Sequence, residues 1–256
     1  SGRGSVFSVE PRKGSSGSRL GLGLRSTRSP PRARPGSLEA VTDLPRASDA
    51  HRKLPFALLV ALFVVCAATA FAPPAGRQNW ALEVVPGLLL VAWMVVSYRR
   101  LPLSWLVYAG TFVHVLVLVY GGYYSYAKTP LGDLVKEHFH LARNHYDRLG
   151  HLALGFFPAL LTREILLRRT PLVRGGWLAF LTLSVVFAFG AFWELLEWWT
   201  TLLVAGDLGQ AFLGSQGDVW DAQWDMFLVG VGAAVALATL SRVHDRSMSR
   251  VPLKGA

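Results

Sequence analysis

Three short stretches of this chain carry residues whose types and spacing could do chemistry. Asp147 and His151 stand four apart, so a helix would set a carboxylate and an imidazole on one face. Glu194 and Glu197 stand three apart in Trp193-Glu-Leu-Leu-Glu-Trp-Trp199 and would also share a face. Asp221 and Asp225 repeat the four-residue spacing, with Asp218 three residues earlier and Gln216 and Gln223 beside them. Carboxylates with one or two imidazoles suit Mg2+, Mn2+ or Zn2+, so Asp147, His151, Glu194, Asp218 and Asp221 form a candidate metal set. A bound divalent ion would offset carboxylate repulsion and polarise a phosphoryl or acyl oxygen, while Arg148 and Arg143 could hold a phosphate. Other chemistries lack their residues. There is no His-Glu-x-x-His, no Ser in a nucleophile turn near His151, and no strand before Gly21-Leu-Gly23. A single cysteine, Cys66, excludes a disulfide scaffold and a cysteine-rich metal site.

The elements that must position these groups are apolar. Of 256 residues 52% are hydrophobic and only 16% charged, yet the net charge is +10. The excess is local. Residues 1–53 hold eleven Lys/Arg against four Asp/Glu, with ten Ser and no apolar periodicity, and read as a disordered basic tail. Phe7 is its one aromatic residue, so no series of aromatics is interleaved for base stacking, which speaks against nucleic acid as its partner. A membrane-spanning helix needs about 20 apolar residues, and six segments qualify: 54–72, 80–98, 103–124, 150–167, 177–204 and 222–241. The expectation is an all-α integral membrane protein with a six-helix domain over 54–246 and a short C-terminal tail over 247–256. Its first partner is the lipid bilayer.

Basic residues set the orientation. With the tail inside, 21 Lys/Arg fall on the inner side and five on the outer, so both termini are expected in the cytoplasm. Acids run the other way: ten of the twelve beyond residue 53 map to the outer half. Between the third and fourth spans, Thr129 and Pro130 suit a helix N-cap and first turn. An amphipathic interfacial helix is expected from there towards His151, with Asp133, Glu137, His140, Asn144, Asp147 and His151 on its polar side. Asp133 and Glu137 suit a solvated face; Asp147 and His151 enter the membrane, where an ionisable group is costly.

Several motifs resemble the YjdF-type family of small bacterial inner-membrane proteins. They are Arg143-Asn-His-Tyr-Asp-Arg-Leu-Gly-His151, Gly155-Phe-Phe-Pro-Ala159, Arg163-Glu-Ile-Leu166, Trp193–Trp199 and Phe212–Met226, within a match from about Leu54 to Arg246. The resemblance implies a multi-pass inner-membrane protein and brings no biochemical activity with it. A fainter similarity is to VanZ-like membrane proteins, where Asp-x-x-x-His opens a span, a Glu lies in the next and an Asp precedes a Gly/Ala-rich last helix. Glu197 and the Gln216-Gly-Asp loop depart from that pattern.

Three functional readings follow. The first is a metal-assisted or acid/base hydrolase at the outer leaflet acting on an envelope lipid or lipid-linked substrate, using Asp147, Arg148, His151, Glu194, Glu197, Asp221 and Asp225. The second is an ion- or proton-coupled transporter built on His114, Glu194 and Glu197. The third is a non-catalytic protein whose buried ion pairs lock its helices together.

Overall fold

The computed structural model describes residues 49–203 and 215–251, and every element among them is helical. Seven α-helices follow in order: α1 (Asp49–Phe71), α2 (Arg77–Ser97), α3 (Trp105–Tyr124), α4 (Pro130–His138), α5 (Tyr146–Arg169), α6 (Gly176–Leu203) and α7 (Asp221–Met248). A single 3-10 turn, Tyr126–Lys128, joins α3 to α4. All but α4 are long and apolar enough to cross a membrane. The basic tail up to residue 48 lies outside the described residues, as do 204–214 and 252–256. Helix α1 starts at Asp49, ahead of the apolar run, because Ala50 through Lys53 contain no helix breaker. The expected tail boundary at residue 53 therefore falls inside a helix.

Backbone hydrogen bonds must be closed internally in hydrocarbon, which is why the spans are helices. Many large side chains face outward along them, including Phe63, Val96, Phe189 and Leu202. In water such exposure would be a liability; in lipid it is the ordinary condition. Inside, α5 packs most extensively on α7 and also meets α3 and α6. Ala159, Val186, Val229, Ala233 and Ala236 form the seam of α5, α6 and α7. Glycines set its closeness: a Cβ on Gly155 would overlap the Val229 carbonyl, and one on Gly232 the Leu152 carbonyl. Small residues let helix backbones approach in this way where lipid provides no hydrophobic drive. A second seam, of Leu62, Cys66, Trp80, Val84, Val115 and Val119, joins α1, α2 and α3.

The helix after α3 departs from expectation. It begins at Pro130 after Thr129, but it stops at His138 instead of running on to His151. His140 adopts a left-handed φ of 52°, and α5 starts afresh at Tyr146. The physical cause is Asn144. Its amide donates to the Thr129 carbonyl (3.0 Å) and Asp133 (2.9 Å), and its oxygen accepts from the Tyr146 backbone N–H (3.0 Å). Gly132 leaves room for that side chain. The Thr129 hydroxyl lies 3.4 Å from Asn144 Oδ1 and makes no cap to its own helix. His140 is consequently exposed while Asn144 is buried, so the two do not share a polar face.

Candidate functional site

Three helix ends converge on one buried group. Asp147 and His151 lie in the first two turns of α5, Asp225 in the second turn of α7, and Glu194 in the last third of α6. His151 is at the centre. Its Nε2 is 2.9 Å from Glu194 Oε1, and its Nδ1 is 3.5 Å from both Asp147 Oδ1 and Asp225 Oδ1. One ligand atom from each of Asp147, His151 and Asp225 lies within 4.8 Å of the others. All of these side chains are at least nine-tenths buried.

The hydrogen bonding of His151 decides what can sit there. Its Nδ1 is 3.2 Å from the Asp147 backbone carbonyl. A carbonyl only accepts, so Nδ1 carries a proton. Nε2, on the opposite edge of the ring, faces a carboxylate oxygen. Although 2.9 Å apart, Nε2 and Glu194 Oε1 are not aligned as a hydrogen bond, and Asp225 Oδ1 has no hydrogen-bond partner among the described residues. Three buried carboxylates thus surround one imidazole, Asp147 and Asp225 at its Nδ1 edge and Glu194 at its Nε2 edge. An Nδ1–H held by a backbone carbonyl is also how metal-binding histidines are commonly oriented.

More acid surrounds this core. Glu197 is buried one turn beyond Glu194, and its Oε1 accepts from the Trp193 indole N–H at 2.6 Å. Glu83 is buried on α2, its stem opposite Gly122 of α3. The Tyr126 ring is wedged against Gly121 and Gly150. Burial, then the charges of Glu83, Asp147 and Glu197, hold its hydroxyl well above the usual phenol range, so it remains a neutral donor. The sequence points to Glu83 only as one of many outer acids and does not single out Tyr126. Their signal lay in Gly121-Gly122 and Gly150, whose smallness admits both side chains.

Asp218 and Asp221 belong elsewhere. Arg143 pairs with Asp221 and donates to the Ser215 carbonyl (3.0 Å), and Arg148 pairs with Asp218 at 2.6 Å. Asp218 Oδ2 also lies 3.5 Å from Arg143. Guanidinium–carboxylate pairing therefore draws both aspartates out of the expected metal set, and Asp225 stands in their place. Asn144 and Gln216 clip the two segments together: Asn144 N–H donates to Gln216 Oε1 (3.1 Å), and Gln216 Nε2 donates to the Asn144 carbonyl (2.8 Å). His145 lies beside this layer, and burial with the two nearby arginines lowers its proton affinity.

A second acid–imidazole grouping lies at the opposite end of α5 and α7, and it is built differently. Glu164 and His244 are both fully buried. Glu164 accepts from Ser104 N–H (2.9 Å) and Ser104 Oγ (2.5 Å), and it pairs with Arg168 at 2.8 Å. Arginine only donates, so His244 Nδ1 accepts from Arg163 (3.2 Å) and its Nε2–H donates to Glu164 (3.0 Å). Asp245 pairs with Arg163 (2.8 Å) and Arg174 (2.9 Å). Here charge is matched and both imidazole nitrogens are used. At the His151 cluster three carboxylates face one imidazole and no arginine pairs with them among the described residues.

His114, the remaining intramembrane imidazole of the transporter reading, is buried on α3 against Phe157. Among the described residues it makes no hydrogen bond or ion pair with either grouping.

Six apolar helices enclosing a buried Asp/His/Glu cluster define a multi-pass membrane protein with a polar centre near one end of its bundle. Residues 54–246 match the family described as Predicted membrane protein (DUF2238), and the chain belongs to that family. It is similar to the Inner membrane protein YjdF of Escherichia coli (strain K12). The two are 42% identical over 177 residues, covering 69% of this chain and 84% of that protein. No solved structure matches the chain. The protein is a multi-pass inner-membrane protein.

Proposed function

We propose that Asp147, His151, Glu194 and Asp225 bind a divalent cation, and that the centre serves a membrane-embedded hydrolase. The observation that carries this reading is the set of three buried carboxylates around His151, in which Glu194 Oε1 and Asp225 Oδ1 have no hydrogen-bond partner among the described residues. One nitrogen and three oxygens suit Mn2+, Zn2+ or Mg2+. Such an ion would offset the repulsion among three buried carboxylates, and it would supply Lewis acidity towards a phosphoryl or acyl oxygen. The chain's own groups do the rest. His151 is oriented by the Asp147 carbonyl, Tyr126 offers a neutral O–H, and Glu197 and Glu83 are buried acids able to hold a proton.

The lysine and arginine distribution supports both termini in the cytoplasm and the cluster at the outer leaflet, within reach of an envelope lipid or lipid-linked substrate. The cluster's place in the first turns of α5 and α7 agrees with chemistry at headgroup depth. The test is direct. Proteoliposomes of inner-membrane lipid extract with Mn2+ are incubated with the wild-type chain or Asp225→Asn, and lipid and aqueous phases are compared by mass spectrometry. Hydrolysis products formed by wild type and absent with the variant are expected. Identical lipid profiles for the two, in extracts with Mn2+, Zn2+ and Mg2+, would overturn the reading.

A further inference from the structure

The layer above the cluster is a pair of guanidinium groups bridged by one carboxylate oxygen, with Arg143 also paired to Asp221. Asp218 Oδ2 is 2.6 Å from Arg148 and 3.5 Å from Arg143, while its other oxygen accepts from the Trp220 N–H at 3.0 Å. Asp218 sits on a strap, residues 215–220, that enters α7. The strap carries two left-handed residues, Gln216 (φ 47°) and Gly217 (φ 85°). It is fastened at a few points: the Gln216–Asn144 pairing, the Ser215 carbonyl to Arg143, and the Asp218 bridge.

Arg148 is placed for more than fastening. It follows Asp147 and precedes His151 by three residues on α5, so it lies about one turn above the imidazole. Its guanidinium stacks over Trp224 at 5.4 Å, and Trp224 immediately precedes Asp225. The arginine and its aromatic shelf are therefore sequence neighbours of two of the four cluster residues. The strap carboxylate occupies the position that an anion bound beside the cluster would take.

From this geometry we infer that Arg148 and Arg143 form a seat for a phosphate group, and that Asp218 is its internal occupant, displaced when the phosphate arrives. The inference names a substrate class for the centre described above and rests on that reading for the reaction, though not for the binding. Phosphate has the advantage over a carboxylate of a second charge and a third oxygen, so it engages two guanidinium groups at once. Displaced, Asp218 swings outward with the 215–220 strap, and Gln216 and Gly217 already occupy the backbone conformations of a turn.

A free anion and a lipid headgroup both present such a phosphate, and two arms separate these sources. Full-length protein in phosphatidylcholine nanodiscs with chelator present is titrated with radiolabelled inorganic phosphate by equilibrium dialysis. In parallel, native mass spectrometry counts short-chain phosphatidic acid bound, against phosphatidylcholine of the same chain length. Asp218→Asn keeps the shape and removes the competing charge, so at least tenfold tighter binding than wild type is expected in one arm. Adding Arg148→Gln to Asp218→Asn should abolish that gain. Hydrogen exchange of 215–220 in the wild type should rise when the effective probe is saturating. Equal or weaker binding by Asp218→Asn in both arms, with strap exchange unmoved, would overturn the inference. Because chelator is present throughout, the outcome is independent of the metal. Mn2+ titration of Asp225→Asn, read separately, shows whether the cluster reading fails instead.

Discussion

His151 and Glu194 meet across the α5–α6 interface at 2.9 Å, while the other ring nitrogen is held by the Asp147 carbonyl. Asp147 and Asp225 close on that second edge, so one imidazole faces three buried carboxylates. The same bundle shows how a buried acid–imidazole pair looks when it is complete: Glu164 and His244 are matched by Arg168, Arg163 and Ser104. The two groupings differ in that Glu164 has three partners of its own, whereas Asp147, Glu194 and Asp225 share one imidazole.

Charge repulsion in the cluster should show as stability. Without divalent metal, Glu194→Gln is expected to melt at or above the wild-type temperature, because it removes one of three crowded carboxylates and can donate to His151 Nε2. With metal the order should reverse. Ligand at a hundred times its dissociation constant stabilises by about 2.7 kcal/mol, a gain the variant should largely lose. Thermal unfolding in detergent with and without Mn2+ provides the comparison.

Glu164 should behave oppositely. Glu164→Ala leaves Arg168 buried without its partner, a loss of the kind that costs about 3–5 kcal/mol. Metal content per folded molecule should not change, since the His151 cluster lies at the other end of α5. Denaturation curves paired with metal analysis separate the two effects.

How much of this was legible beforehand depends on the kind of interaction. Hydropathy marks lipid-facing helices directly, so all six spans were readable, and i, i+4 spacing correctly placed Asp147 with His151 on one face. The interfacial helix was misjudged in length because 3.6-residue periodicity continues through Asn144, while the chain breaks there to satisfy tertiary hydrogen bonds to Thr129 and Asp133. Spacing alone could not say which aspartate of 218, 221 and 225 reaches His151. That choice is made by Arg143 and Arg148, which lie about 70 residues away in the chain. The Glu164–His244 network went unread for the same reason: its partners are 80 residues apart.

The glycine contacts of α5 and α7 should be intolerant of size. Gly155→Val and Gly232→Val both force a side chain into the facing backbone, and overpacking of this kind costs about 1–3 kcal/mol or more. Because the helices must part, metal affinity should fall together with stability. Gly176→Ala, where an added Cβ meets open space, is the matched control and should change neither.

Tyr126 can be tested without disturbing its wedge. Tyr126→Phe keeps the ring between Gly121 and Gly150 and removes only the hydroxyl, so a stability change within about 1 kcal/mol is expected. Gly150→Ala, by contrast, pushes against the ring and should lower the melting temperature. Melting curves of the two variants side by side show whether ring packing or the hydroxyl holds the residue.

The account stands most directly on metal stoichiometry. Full-length wild type, Asp225→Asn and Glu164→Gln are purified in detergent, incubated with Mn2+ or Zn2+, freed of unbound ion and measured by elemental analysis. The account predicts one tightly held ion per wild-type chain, the same in Glu164→Gln, and a loss of at least tenfold in affinity in folded Asp225→Asn. Equal metal content in the folded wild-type and Asp225→Asn proteins, or none in either, would contradict it.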